Sequence, residues 1–142
     1  MLNYKNILAP VDFAEISNSV LQHAADYSEQ SQSKLVISHV VDRIFPDYAA
    51  IEISNLTNLE EKLIHQAELH LEELLDELEI GYCEKIVRAG RIIPTLLEII
   101  DKQEIDLVVM GTHTDNSVSE KYRSVTMAMV ENADCDVLVL HK

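Results

Sequence analysis

The order of apolar and helical segments predicts an α/β protein, an open five-stranded parallel sheet with helices on both faces. Three observations carry this. Short, nearly uniform apolar runs occur at five places along the chain. Segments with apolar residues three and four apart separate them. The runs hold many β-branched residues and few polar interruptions, as strands covered on both faces require. Strict β-α alternation with right-handed crossovers then distributes the helices over the two faces.

Asn6 to Val11 (NILAPV) has the length of a buried strand, and Asp12-Phe13-Ala14-Glu15 breaks it. From Ser17 the spacing of Val20, Leu21, Ala24, Ala25 and Tyr27 predicts a helix, ended by the polar stretch Ser31 to Ser33. Leu35 to Val41 is a second strand, and the stretch from Asp42 to Ala50, with Pro46, reads as an irregular connection. Leu56, Leu59, Leu63, Ala67, Leu71, Leu74 and Leu78 then form one continuous helical face, with Gly81 expected as the residue that closes the helix. Lys85 to Ala89 is a third, more polar strand, and Gly90 is expected to make a turn. Ile92 to Gln103 is a helix that tolerates Pro94 in its first turn. Ile105 to Met110 is the fourth strand, Gly111 to Ser119 a polar loop, Glu120 to Asn132 a helix and Asp136 to Leu140 the fifth strand.

The 142 residues fit one compact domain, and no linker, repeat or low-complexity tract divides residues 1–142. A formal charge of −14 opposes phosphate backbones and anionic lipid, so neither nucleic acid nor a membrane is an expected partner. No apolar run approaches the ~20 residues of a membrane span. The segment Met1 to Asn6 lacks the features of a signal peptide, and two cysteines make no disulfide framework, so a cytoplasmic location is expected. The charge is uneven. Residues 52–79 hold nine acids and one base, −8 of the total, on what reads as a solvated helix face.

Open parallel sheets bind ligands beyond the carboxyl ends of their strands. Two loops meet that condition: Pro10-Val11-Asp12-Phe13 after the first strand and Met110-Gly111-Thr112-His113-Thr114-Asp115 after the fourth. Four stretches also carry a resemblance over nearly the whole chain. They are Tyr4 to Asp12, His39-Val40-Val41-Asp42, Asp106 to His113 and Cys135 to Leu140. In this order and spacing they resemble the universal stress proteins. The resemblance implies a flavodoxin-like or Rossmann-like fold with strand order 3-2-1-4-5, and a homodimer linked to stress survival. It also implies that Pro10, Asp12 and Val40 would contact adenosine, with Met110, Gly111 and His113 nearer the ribose and phosphates. Asp12 serves equally well as a cap of the following helix.

Nucleotide-binding members of that family follow the fourth strand with G-x2-G-x9-G-[S/T]. Glycines there let backbone approach phosphate closely. Gly111 fills the first position and Thr114 replaces the second glycine. Ser124 and Val125 fall on the last pair or, one residue shorter, Arg123 and Ser124. A Cβ at the lost glycines obstructs phosphate wrapping. Hydroxyls of Thr112, Thr114, Ser117 and Ser119, with the cations Lys121 and Arg123, offer a different way to hold an anion. Gly111-Thr112-His113-Thr114-Asp115 also resembles the universal stress protein A class, which lacks the glycine motif. ATP or AMP is therefore a weakly supported ligand, and no cofactor is required.

Other polar residues favour bland roles. His65 and His70, five apart, miss the i, i+4 spacing of a helical metal pair and read as ordinary surface histidines. His39 reads as a satisfied structural histidine, while His113 is the histidine best placed for function. Nothing near Cys83 or Cys135 activates a thiol. No Walker A, Gly-x-Ser-x-Gly or Cys-x-x-Cys pattern occurs, and no nucleophile, base and orienting group assemble into an enzyme. In the order 3-2-1-4-5 the last strand is an edge, apolar at Val137, Leu138, Val139 and Leu140. A second copy adding its own fifth strand, antiparallel about a two-fold axis, removes that liability. The leading expectation is thus a non-enzymatic homodimer acting through protein association. An ATP- or AMP-binding switch at the rim of the first and fourth strands is the alternative.

Overall fold

The computed structural model describes residues 3–13, 16–42, 53–112 and 120–141, with side chains for all but residues 16, 53–57 and 120–124. Its elements are β1 (Asn6–Pro10), α1 (Ile16–Ser31), β2 (Lys34–Asp42), α2 (Ile53–Glu77), β3 (Glu84–Gly90), α3 (Ile92–Lys102), β4 (Leu107–Thr112), α4 (Glu120–Asn132) and β5 (Asp136–His141). The five strands form one parallel sheet in the order β3-β2-β1-β4-β5. Fold class and strand order are those the sequence predicts.

Strand alternation explains why the central runs are apolar throughout. Ile7, Ala9, Leu35, Ile37, Leu107 and Val109 face one layer, with Val20, Leu21 and Ala24 of α1 and Leu71, Leu74 and Leu75 of α2. Leu8, Val36, Val40, Val108 and Met110 face the other, with Leu96, Ile99 and Ile100 of α3 and Val125 and Met129 of α4. Each large side chain so buried contributes roughly 1.5–3 kcal/mol relative to exposure. In α2 the apolar face buries Ala67, Leu71 and Leu74 as expected and adds Leu75, while the acids Glu61, Glu68, Glu72, Glu73, Asp76 and Glu77 face water. No helix among the described residues is long and apolar enough to cross a membrane.

Three helix ends share one device. Gln32, Glu79 and Glu104 have φ of 55°, 55° and 53°. Each N–H reaches back three residues, and the next reaches back five: Glu79 to Asp76 and Ile80 to Leu75, for example, at 3.1 and 3.0 Å. This is the Schellman arrangement, with non-glycine residues in the left-handed position. The expectation that Gly81 closes α2 is therefore corrected. The left-handed residue is Glu79, because Ile80 must fold back toward Leu75 to join the core. Gly90 also departs from its expected role. It ends β3 buried and without positive φ, and a Cβ there would lie 2.6 Å from the Thr95 hydroxyl. Close approach, not a turn, demands the glycine.

β4 starts two residues later than expected and runs on through Thr112. Asp106 instead staples the start of β1. Its carboxylate accepts the backbone N–H groups of Lys5 and Asn6 at 2.8 and 2.9 Å. Nearby, the Tyr4 hydroxyl donates to Asp136 at 2.7 Å, and that bond, with burial, raises the phenol pKa to about 12.

Candidate functional site

β1, β2 and β4 end on one rim of the sheet, as parallel strands must. A cleft opens there on the α3/α4 side. Pro10, Val11 and Asp12 form one wall, Ser38, His39 and Val40 the floor, and Ile92, Leu96 and Val125 the opposite wall. It encloses about 40 Å³, against the roughly 300–1,000 Å³ of sites that engulf a small molecule.

Four residues expected at the site, Pro10, Asp12, Val40 and Val125, line this one cleft. Met110 lies deeper, wholly buried in the α3/α4 layer. Gly111 is buried, and its carbonyl accepts the Thr126 hydroxyl at 3.1 Å. Ser124 belongs to α4 by its backbone, but its side chain lies outside the described residues, as do those of Lys121 and Arg123. His113 and the rest of the loop through Ser119 also lie outside them, as do residues 43–50 of the connection after β2. Asp12 accepts a hydrogen bond from the buried Ser17 hydroxyl in the first turn of α1 at 3.2 Å.

The opposite face of the rim holds an arrangement the sequence did not foretell. Phe13, at φ 65°, lies between two imidazoles. His39 is tilted against it at 4.5 Å between ring centroids, and His70 of α2 stacks on it at 4.1 Å and 14°. His70 is exposed, as its spacing leads one to expect, and adds to that surface position a stack on Phe13. His39 meets its structural expectation, with Nδ1 2.8 Å from the Val11 carbonyl oxygen. Nδ1 therefore carries the proton, and burial lowers the pKa despite that bond.

Ser38 is the other residue the sequence reading missed. It lies wholly buried at the cleft floor in a strand that otherwise reads as apolar. The thiols of Cys83 and Cys135 are half-buried, and burial raises both pKa values, Cys135 to about 11 with help from Asp136, Asp106 and Asp134. Among the described residues no group of three or more His, Cys, Asp or Glu side chains is arranged to hold a metal ion.

Known proteins share both the sequence pattern and this architecture. Universal stress protein A homolog 1 of Coxiella burnetii is 28% identical over 140 residues, covering 98% of this chain and 97% of that one. The universal stress protein A homolog of Haemophilus ducreyi is 30% identical over 138 residues, 96% of each. The solved structure of protein MJ0577 superposes with a TM-score of 0.80 at 26% identity, covering 99% of this chain and 98% of that one. Two more distant structures share the fold. One is a universal stress protein in complex with cAMP (TM-score 0.65, 18% identity, 99% and 98% covered). The other is the Archaeoglobus fulgidus universal stress protein in complex with dAMP (0.61, 15%, 97% and 98%). The sequence profile of the universal stress protein family matches residues 3–141, nearly end to end, and with this fold the chain belongs to that family.

Proposed function

We propose that residues 1–142 act as one domain, a non-enzymatic cytoplasmic stress-response protein that works as a homodimer through association with other proteins. The β5 edge carries this reading. β5 ends the sheet order, with β4 as its neighbour on one side. Val137, Val139 and Leu140 are half-buried and Leu138 is 39% exposed. On α4, Met127 and Val130 are also exposed, one helical turn apart and adjacent in chain to the same edge. An apolar strand edge flanked by apolar helix residues suits a second copy better than water. High thiol pKa values favour packing over catalysis for both cysteines. Sedimentation equilibrium between 1 and 50 µM tests the reading, which predicts a dimer throughout; a monomer at these concentrations overturns it.

A second reading is favoured by the rim cleft together with the cAMP and dAMP complexes of its structural neighbours. In it an adenosine nucleotide, ATP or AMP, lies at the rim of β1 and β4, with Pro10, Asp12, Val40 and Val125 at the base and Met110, Gly111, His113 and Ser124 toward the phosphates. The replaced glycines of the loop weigh against tight binding. Calorimetry with ATP and Mg²⁺ at modest salt decides it: no heat at millimolar nucleotide removes the reading.

A further inference from the structure

Ser38 is completely buried, and among the described residues its hydroxyl oxygen has no hydrogen-bond partner. Its backbone does not explain this, since its carbonyl accepts the Val11 N–H at 2.8 Å and the residue keeps its place in the ladder opposite Pro10 and Ile86. Alternation turns the Ser38 side chain to the same face as Val36 and Val40, the α3/α4 face on which the rim cleft opens. Burying a hydroxyl without a partner is destabilising. Alanine or valine at this position would complete an apolar floor without that cost. A polar atom entering the cleft would recover that cost. The wall facing Ser38 is apolar, formed by Ile92, Leu96 and Val125.

We propose that Ser38 is the ligand-reading residue of the cleft, its hydroxyl bonding the polar edge of an adenine ring inserted between Val40 and Val125. This rests on the nucleotide reading above and assigns a residue to it. A flat ring matches apolar walls. A serine hydroxyl, both donor and acceptor, satisfies either the ring nitrogen or the exocyclic amine of adenine. The hydroxyl has no accessible surface in this structure, so the ring edge reaches it as the side chains of Val40 and Val125 part, leaving ribose and phosphate at the mouth.

The test is calorimetry of the full chain with AMP for the wild type, Ser38→Ala and Ser38→Cys, with thermal melts of each protein alone. Both variants should bind AMP about tenfold more weakly, the loss of one hydrogen bond. Without nucleotide, Ser38→Ala should melt at the wild-type temperature or above, because an unpartnered hydroxyl has gone. Should Ser38→Ala not fold, the near-isosteric Ser38→Cys supplies the comparison. Wild-type binding with unchanged affinity in the variants overturns the role of Ser38 and leaves the nucleotide reading standing. No heat from the wild type at millimolar AMP overturns both.

Discussion

Replacing Leu138 by lysine is the most direct challenge to the β5 edge. Leu138 keeps 39% of its surface exposed, so about two-fifths of the roughly 1.5–3 kcal/mol available to a leucine remains to be gained on association, close to 1 kcal/mol per copy. A two-fold axis counts that loss twice, so Leu138→Lys removes about 2 kcal/mol. Two ammonium groups brought toward one axis add repulsion. Association should weaken at least 30-fold, which raises by the same factor the concentration at which half of the chains are monomeric. Sedimentation velocity from 1 to 100 µM reads this directly, and thermal melts must accompany it, because the buried part of Leu138 supports the protomer. Met127→Lys, on the 58% exposed residue of α4, should weaken the dimer with less effect on the protomer. A Leu138→Lys protein that sediments as the wild type would refute the placement of the interface.

Three further outcomes follow from the geometry. The lowered pKa of His39 means that the unfolded chain binds its proton more readily, so the associated stability is present above about pH 6.5 and is lost as pH falls through the folded value; urea melts of His39→Gln should show a shallower loss over that window than the wild type. Glu79→Gly relieves a left-handed conformation and should raise unfolding free energy by about 0.5–1 kcal/mol in the same melts, whereas Gly81→Ala should cost little because nothing lies within 4 Å of the added Cβ. Cys135, with its thiol pushed to about 11, should react with a disulfide reagent at pH 8 well below the rate of free cysteine, and Asp136→Asn should speed it while lowering the Tyr4 phenol toward its ordinary 10, seen in ultraviolet titration.

Patterns that repeat along the chain were legible, and contacts made by folding were not. Five apolar runs gave five strands because a sheet covered on both faces imposes a rule on every residue of a strand, from Ile7 to Val41 and from Leu107 to Met110. The last helix was read to its exact ends, Glu120 and Asn132. The stop of α2 was misplaced, since the left-handed Glu79 leaves no compositional mark and the nearby Gly81 drew the assignment, whereas the polar stretch Ser31 to Ser33 does hold the left-handed Gln32 that follows α1. The Phe13 stack joins residues 13, 39 and 70, which no spacing rule relates. Of the site residues on strands, Pro10 and Val40 line the rim cleft, while Met110 and Gly111 are buried in β4. Ser38 escaped notice because in sequence it is one polar residue inside an apolar run, and only burial without a partner makes it unusual.

Net charge first argued against any anionic ligand, and the fold weakens that argument. α2 packs on the layer with α1, while the cleft opens on the layer with α3 and α4. The exposed acids Glu72, Glu73, Asp76 and Glu77 of α2 lie on the other layer of the sheet from the cleft, and exposed charges farther apart than ~8 Å are largely screened at physiological salt. The polar groups nearest a ligand of the cleft are Asp12 at one wall and the Ser38 hydroxyl at the floor. Acidity of the whole chain bears on solubility and on encounters with nucleic acid. The cleft answers to its own walls.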